Sequence, residues 1–323
     1  MTKISIITTS YNHKDFIGYT IQSILDQTFS DRELLIGDDS PGNETWETIE
    51  WYVKKNPKKI KARHNTPNKW IAENMNFLIS KICPESEYIA FLEGDDMRDK
   101  DYLKDKLEVF TKYPEAKLVY NNFNFIDKNN TVIQKDIFGF RWIKTYQNEK
   151  ITADDYVLAN VWPIISWSTF MIHKDMIEKY HIRSLDPKNK VCSTSEYDFW
   201  LQVATHHNVY YMNQTLTLYR RHENNLSRSN PNLMKELSDL IKYYHKNHII
   251  SDNAYNIKLS HNNLVQSLIY LENGDKKKSL HHWKDAISYN RFNYIIMKLW
   301  IVFLLILPLN RSKRILSKLI KRG

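Results

Sequence analysis

Apolar and polar positions along the first 130 residues follow two alternating periods. Short apolar runs rich in β-branched residues predict buried strands, and apolar residues at three- and four-residue spacing predict helices between them. The predicted strands are Ile4–Thr8, Glu33–Gly37, Tyr88–Leu92 and Leu118–Asn121, and the predicted helices are Asp15–Gln27, Thr45–Val53, Ile71–Ile82 and Asp99–Tyr113. This repeated order predicts an α/β fold with a mostly parallel central sheet flanked by helices.

The pattern becomes mixed after residue 121 and wholly helical after Pro231. The mixed part predicts a hairpin around Asn129-Asn130, helices over Ala153–Asn160 and from about Thr194, and strands over Ile164–Ile172, Val209–Met212 and Leu216–Tyr219. The last part predicts helices over 232–248, 253–272 and 275–289, the last two forming a helical hairpin. We therefore expect one domain over 1–228, with halves over about 1–120 and 121–228, and a C-terminal helical extension over 229–323.

Net charge is concentrated at the C-terminal end. The 323 residues carry a formal charge of +9, but residues 310–323 contain six Lys or Arg and no acid, which leaves +3 for residues 1–309. A nearly balanced body disfavours nucleic acid as a partner, whereas a local basic segment favours an anionic surface.

The segment before these basic residues is strongly apolar. Leu299–Leu309 is an uninterrupted apolar stretch, short of the ~20 residues that span a bilayer. Apolar residues followed by a basic amphipathic segment are typical of a membrane-surface anchor, which we place at about 292–323. A core helix over 295–309 is the alternative.

Glycine and cysteine counts exclude several kinds of site. Seven scattered glycines provide neither a G-x-G-x-x-G fingerprint nor a G-x-x-x-x-G-K-[ST] phosphate loop, so any phosphate must be held by a metal or by side chains. Two cysteines cannot form a disulfide framework. The first residues contain no secretory signal pattern, and together these features predict a cytoplasmic location.

Two acidic pairs follow predicted strands. Asp38-Asp39 and Asp95-Asp96 stand at strand carboxyl ends, where open α/β sheets bind ligands. Taken singly, each pair can also be a turn or a helix cap. Together they suit Mg²⁺ or Mn²⁺ neutralising a diphosphate, with His222 as a further ligand.

Four motifs, in order, resemble family 2 glycosyltransferases of the GT-A fold. They cover about residues 3–228. The motifs are the N-terminal run Ile4–Asn12 with Ile21–Phe29 and Glu33–Ser40, the acidic segment Phe91–Asp96, the segment Ser195–Leu201, and Leu218–Ser227, which is similar to the family's YRxHxxNxS.

The resemblance implies a sugar-nucleotide donor, a UDP-sugar in the commonest case, a divalent metal and inversion at the anomeric carbon. By position it implies that Thr9, Tyr11 and Asp39 contact the nucleoside. It implies further that Asp95 reaches the ribose, and that Asp96 and His222 hold the Mn²⁺ or Mg²⁺.

The catalytic base departs from the family pattern. Ser195-Glu196 stands where the family has Glu-Asp, so we expect Glu196 to act as the base. Asp198 is the alternative base, or an acceptor-binding residue. A second departure is Glu73, within Ala72-Glu73-Asn74, where the family often has Arg.

Two tryptophans in the mixed part have two interpretations. Trp162 and Trp167 could stack on an acceptor sugar, or they could pack in the core.

The sequence therefore predicts an enzyme that transfers one sugar to a glycan or lipid-linked glycan, since the Q-x-x-R-W signature of processive synthases is absent. We expect it to work in surface polysaccharide synthesis at the inner face of the membrane. The alternative is a nucleotide- or glycan-binding module with a degenerate site.

Overall fold

The structure is a computed structural model, and it describes residues 3–137, 152–158, 166–180, 182, 194–223, 225, 232–290 and 295–307. The strands are β1 (Lys3–Ser10), β2 (Arg32–Asp38), β3 (Ile60–His64), β4 (Ser86–Phe91), β5 (Met97–Arg98), β6 (Ala116–Ile126), β7 (Val132–Gln134), β8 (Phe170–His173) and β9 (Asn208–Arg220). The helices are α1 (Ile17–Leu25), α2 (Glu44–Lys55), α3 (Trp70–Ile79), α4 (Tyr102–Lys112), α5 (Ala153–Leu158), α6 (Asp175–Lys179), α7 (Ser195–His206), α8 (Leu233–Lys246), α9 (Asp252–Glu272), α10 (Lys276–Tyr289) and α11 (Ile295–Ile306). A 3₁₀ turn over Trp167–Thr169 precedes β8.

The strands of the described residues form one sheet in the order β3-β2-β1-β4-β8-β6-β9-β5, with β7 paired to β6. β1 is parallel to both β2 and β4, whereas β8 is antiparallel to β4 and β6. β1 and β2 are buried almost throughout, as strands covered on both faces must be. Their apolar side chains pack against α1, α2 and α4 in the main core. The predicted α/β sheet flanked by helices is confirmed.

Three strands differ from the prediction for identifiable reasons. β3 was not predicted, because only Ile60 of its five residues is buried. β9 is one strand where two were predicted, since Asn213-Gln214 form a bulge that shifts the register against β6. Within the predicted strand Ile164–Ile172, residues 164–165 lie outside the described part, Ser166 caps the 3₁₀ turn, and the strand begins at Phe170.

The chain divides into two compact units, one of 1–152 with 161–229 and one of 153–160 with 230–323. The predicted boundary at 228/229 stays a prediction. The second unit also includes 153–160, which pattern alone had grouped with the first.

The second unit is helical in its described residues. α9 and α10 form the predicted hairpin, in which the hydroxyls of Ser260 and Ser267 donate to the carbonyls of Ala286 and Ser279, both at 2.8 Å. These small side chains allow the two helices to approach closely.

Helix α11 has one buried and one exposed apolar face, and the predicted membrane-surface anchor stays a prediction. One face is buried, with Ile301 packed on Leu264 of α9 and Ala286 of α10. The other face exposes Ile295, Leu299, Trp300 and Phe303, each by about half or more of its surface. Residues 308–323 lie outside the described part of the chain.

Among the described residues, no helix combines the length and apolar character needed to cross a bilayer.

Candidate active site

Three loops that follow parallel strands meet at one edge of the sheet in the first unit. β1 lies between β2 and β4, so the carboxyl ends of the three strands are adjacent. Backbone hydrogen bonds join the loops: the amide of Asp39 donates to the carbonyl of Ser10 at 2.8 Å, and that of Gly94 to the carbonyl of Thr9 at 2.9 Å. Both acidic pairs are therefore fixed to the end of β1.

The carboxylate of Asp95 faces two histidines. Its Oδ2 lies 2.8 Å from His222 Nε2 and 3.9 Å from His13 Nε2, and it accepts a hydrogen bond from Asn225 Nδ2 at 3.2 Å. One ligand atom from each of His13, Asp95 and His222 lies within 4.8 Å of the others. Two imidazoles and a carboxylate in this arrangement could hold a divalent cation.

Gly94 leaves the space that the His13 ring occupies. A Cβ at position 94 would lie 2.8 Å from His13 Nδ1 and 2.9 Å from the carbonyl oxygen of Thr9. Any other residue would therefore displace the imidazole or the backbone of β1. Glycine is required at position 94 because the His13 ring and the backbone of β1 lie so close to it.

The carboxylate of Asp96 is bound by the protein on both oxygens. Ser168 Oγ donates to Oδ2 at 2.6 Å, and the amide of Arg220 donates to Oδ1 at 2.8 Å. Asp96 is also 1% exposed. One of its oxygens lies within 4.8 Å of Glu93 and Asp95 ligand atoms, so its predicted role as a metal ligand stays a prediction.

Arg220 fixes the loop that carries His222. Its guanidinium is fully buried and donates to the carbonyl oxygens of Asp95 at 2.7 Å and Asp127 at 2.8 Å, and to Asn130 Oδ1 at 2.7 Å. The end of β9 and the acidic loop after β4 are thus held by one side chain.

The 3₁₀ turn positions three acidic side chains. Ser166 Oγ donates to Glu93 Oε2 at 2.9 Å, the amide of Trp167 donates to Glu196 Oε2 at 3.0 Å, and Ser168 binds Asp96 as described. Ser168 Oγ also accepts the amide of Glu93 at 3.1 Å. The turn therefore brings α7 and its Glu196 to the acidic loop after β4.

The acids at this edge have different proton affinities. Burial and the nearby carboxylates raise the pKa of Glu93 and Asp96 well above the usual range. Burial acts in the same direction on Asp95, but His13 and His222 outweigh it and lower its pKa. Burial also lowers the pKa of His13, which favours the neutral imidazole that binds metals.

Of the two predicted base residues, Glu196 is the one with exposed surface. It is partly exposed near the N-terminal end of α7, and burial of its carboxyl raises its pKa to about 7. Asp198 is 1% exposed and accepts a hydrogen bond from Gln202 Nε2 at 3.0 Å. A partly exposed carboxyl whose pKa lies near neutrality is suited to proton transfer.

The residues predicted to contact a nucleoside lie at the ends of β1 and β2. Asp39 is 5% exposed, and its carboxylate accepts hydrogen bonds from Asn65, Asn74 and the amide of Lys69 at 2.9 to 3.1 Å. Thr9 lies in β1, and Tyr11 follows it with half of its surface exposed. Their roles stay predictions.

Sequence reasoning missed several residues that the structure brings to this edge. His13 follows β1, and its position after a strand end was a signal that could have identified it. Ser166 and Ser168 are more than 70 residues from the acids that they bind, and the sequence contains no local signal for that pairing.

The two tryptophans can be separated. Trp167 is 1% exposed and packs on Phe91, Phe170 and Phe199, with ring centroids 4.8 to 5.6 Å apart. Its core interpretation is confirmed. Trp162 lies outside the described residues.

Glycosyltransferases from two bacteria are similar to the chain in sequence. It is 27% identical over 225 residues to TuaG of Bacillus subtilis, named as a teichuronic acid biosynthesis glycosyltransferase, covering 69% of this chain and 81% of TuaG. It is 32% identical over 136 residues to WfaP of Escherichia coli, named as a UDP-Glc:α-D-GlcNAc-diphosphoundecaprenol β-1,3-glucosyltransferase, covering 42% and 49% of the two chains.

The structure is similar to that of TarS residues 1–349 from S. aureus. The TM-score is 0.63 at 14% identity, with 89% of this chain and 81% of that chain covered. The same TarS fragment in complex with UDP-GlcNAc gives a TM-score of 0.60. At this identity the likeness shows the fold alone, which is the GT-A fold.

A sequence model of the family described as "Glycosyl transferase family 2" matches residues 5–181, more than half of the chain. That match spans β1, the acidic loop after β4 and the 3₁₀ turn. The chain therefore belongs to glycosyl transferase family 2 and is a transferase enzyme.

Proposed function

We propose that this enzyme is an inverting, metal-dependent glycosyltransferase that moves one sugar from a UDP-sugar to a hydroxyl of a glycan or lipid-linked glycan. The observation that carries the proposal is the pairing of two different sites at one sheet edge. One is the cluster of His13, Asp95 and His222, and the other is Glu196, whose pKa is about 7.

The residues of the first cluster fit a divalent metal. His13 Nδ1 is buried and has no hydrogen-bond partner in the part of the chain that the structure describes, and Asp95 Oδ2 lies 2.8 Å from His222 Nε2 and 3.9 Å from His13 Nε2. Asp95 and His222 would hold the ion, which differs from the sequence prediction of Asp96 with His222. When bound, the ion supplies positive charge that stabilises a leaving diphosphate.

Glu196 would take the proton of the acceptor hydroxyl. Its Oε2 accepts the amide of Trp167, so we assign the proton to Oε1. The turn amide also orients the carboxylate, and orientation contributes strongly to such transfers. Attack on the face opposite the leaving diphosphate inverts the anomeric carbon.

Donor recognition would lie at the ends of β1 and β2. Asp39 would accept an N–H of the base, since carboxylates accept hydrogen bonds, and Thr9 and Tyr11 would complete the nucleoside site. A UDP-sugar is supported by TarS, solved with UDP-GlcNAc, and by WfaP, named for UDP-Glc.

The acceptor would be presented at an anionic membrane surface on the cytoplasmic side. The exposed face of α11 (Ile295, Leu299, Trp300, Phe303) is an apolar stripe, and the basic residues of 310–323 follow it in sequence. Apolar insertion combined with basic charge favours anionic lipid. TuaG and WfaP are named for teichuronic acid and for a diphosphoundecaprenol-linked acceptor, which supports a role in surface polysaccharide synthesis.

A donor panel tests the reaction. Purified enzyme is offered UDP-, GDP- and dTDP-sugars with Mn²⁺, Mg²⁺ or EDTA, with and without lipid-linked glycans. Mass spectrometry and anomeric-proton NMR then identify the product. We expect metal-dependent consumption of a UDP-sugar and an inverted linkage. Nucleotide binding by calorimetry without consumption of any donor would contradict the proposal.

Liposome co-sedimentation tests the surface. The double variant Leu299→Ser/Phe303→Ser should bind anionic vesicles more weakly than the unchanged chain, and a chain ending at Asn290 should bind most weakly. The matched control is Trp51→Ser/Ile133→Ser, which removes two exposed apolar side chains elsewhere. Equal binding by all four proteins would remove the membrane from the proposal.

A further inference from the structure

His13 has no evident structural reason to be a histidine. It follows β1, packs edge-on to the ring of His222 with centroids 6.2 Å apart, and is 17% exposed at its side chain. Neither ring nitrogen is hydrogen-bonded to a described residue: Nδ1 is buried without a partner, and Nε2 lies 3.9 Å from Asp95. A buried ring nitrogen left in this state costs stability, since buried polar atoms are normally paired.

We propose that His13 is a third protein ligand of the metal and that it makes the site select Mn²⁺-like ions over Mg²⁺. The inference rests on the proposed function only in assuming that the edge of β1 binds a metal. It extends that function by naming a residue that determines which metal is bound.

The geometry supports three-fold ligation. Around an ion with bonds of about 2.1 Å, adjacent ligand atoms are roughly 3 Å apart. The three ligand atoms here lie within 4.8 Å of one another, so modest side-chain rotation would bring them to the spacing of metal ligands. Asp95 Oδ2 is already 2.8 Å from His222 Nε2, and His13 is the member that must approach.

The surrounding residues favour such an approach. Gly94 allows the His13 ring to lie close beside Asp95, and the carbonyl of His13 accepts the amides of Phe16 and Ile17 at 2.9 and 2.8 Å, which fixes the backbone. The ring of Phe16 also lies 5.0 Å from the His222 ring. The backbone of His13 is therefore anchored with its ring next to Asp95 and His222.

The chemistry of the donor set leads to selectivity. Mg²⁺ prefers oxygen ligands and keeps several waters, whereas imidazole favours transition metals. Two imidazoles and one carboxylate therefore disfavour Mg²⁺ relative to Mn²⁺ and Co²⁺. Replacing one imidazole with an oxygen donor should reduce that preference.

Direct ion binding tests the inference without measuring turnover. Mn²⁺ is titrated into the full chain and followed by electron paramagnetic resonance, with and without UDP. Co²⁺ is followed by its absorption bands, and Mg²⁺ by competition. We expect His13→Gln to weaken Mn²⁺ and Co²⁺ binding about tenfold or more. We expect His13→Asp to recover part of the Mn²⁺ affinity and to lower the Mn²⁺/Mg²⁺ ratio.

The matched control is His245→Gln. His245 also pairs with an aspartate, Asp252 at 2.7 Å, but it lies on α8 in the second unit. It should leave ion binding unchanged, and thermal melting checks that each variant folds. Unchanged Mn²⁺ affinity in folded His13→Gln, or no Mn²⁺ or Co²⁺ binding by the unchanged chain, would overturn the inference. Loss of ion binding in His13→Gln combined with no donor consumption by the unchanged enzyme would leave the inference standing and remove the proposed function.

Discussion

Asp95 and Asp96 are neighbours in sequence with opposite surroundings. The histidine side, made of His13, Asp95 and His222, presents its carboxylate to two imidazoles, which lower the pKa of Asp95. The turn side, made of Glu93, Asp96, Glu196 and Ser166–Thr169, surrounds its acids with other acids and hydroxyls, and the pKa of Asp96 is raised well above the usual range.

The difference shows that the groups around a buried carboxylate decide whether its pKa is raised or lowered. Both residues are at least nine-tenths buried, so burial alone does not separate them. The imidazoles of His13 and His222 favour the ionised carboxylate of Asp95, which is the form that can bind a metal. Both oxygens of Asp96 accept hydrogen bonds, one from the Ser168 hydroxyl and one from the Arg220 amide, and these bonds hold the loop after β4 in place. Adjacent acids can thus differ in proton affinity and in the partners of their oxygens.

The largest expected effect separates these two acids. Asp95→Asn should reduce transfer by about 10³-fold, because it removes the carboxylate that would hold the metal, and such charge stabilisation contributes several kcal/mol. Asp96→Asn should change metal affinity only a few-fold, since the Arg220 amide can still donate to its oxygen and Ser168 can accept from its amide. Steady-state kinetics and Mn²⁺ titration check both. A larger loss of transfer and of Mn²⁺ affinity in Asp96→Asn than in Asp95→Asn would identify Asp96 as the metal ligand.

The next effect concerns the base on the turn side. Glu196→Gln should lower kcat by about 10²- to 10³-fold and leave nucleotide affinity unchanged, because it removes the proton acceptor and keeps the shape. Glu196→Asp should recover part of the rate.

Asp198→Asn, on the same helix, is the control for that series. A greater loss of kcat in Asp198→Asn than in Glu196→Gln would transfer the role of base to Asp198. Single-turnover kinetics with saturating donor provide the measurement.

A smaller effect is expected from pH. Burial raises the pKa of Glu196 to about 7, so the base is protonated and inactive below that pH and ionised above it. kcat/KM should therefore rise about tenfold per unit as pH increases toward 7 and then level off. The profile is measured at saturating metal. A rise centred near pH 4 to 5, about where an ordinary carboxylate titrates, would show that burial does not raise the pKa of the base.

The smallest effect concerns stability. Ser168→Ala leaves Oδ2 of Asp96 without its hydroxyl donor and should reduce the free energy of unfolding by about 1–3 kcal/mol. Ser80→Ala removes an exposed hydroxyl bonded to the Phe77 carbonyl and should have little effect. Urea denaturation compares the two. Equal losses would show that the turn does not depend on this hydroxyl.

The order of strands and helices over residues 1–120 could be predicted because these elements are local and strongly patterned. Ile4–Thr8 and Glu33–Gly37 are rich in apolar residues and are buried, as central parallel strands must be. β3 was not predicted because it is an edge strand with one buried residue, so its sequence lacks the apolar run of a central strand. The pattern predicts two strands, Val209–Met212 and Leu216–Tyr219, where β9 is one, since the polar residues Asn213 and Gln214 interrupt the apolar run.

The site was predictable only as far as each residue followed a strand end. Asp39, Asp95 and His222 could be found in this way, and His13 could have been. Which acid meets which donor depends on pairings across more than 70 residues, such as Ser168 with Asp96, and on the insertion of β8 between β4 and β6. Those are properties of the packed sheet that no local pattern encodes.

Arg220 joins the candidate active site to a turn that lies outside it. Its guanidinium binds the loop of Asp95 and also the 127–130 turn, where Asn130 adopts a φ of 65°. A change at that remote turn would be transmitted to the position of His222, two residues after Arg220. Anyone redesigning donor or metal preference in this enzyme should therefore treat the hairpin between β6 and β7 as part of the catalytic framework, and keep Asn130 while varying the residues around it.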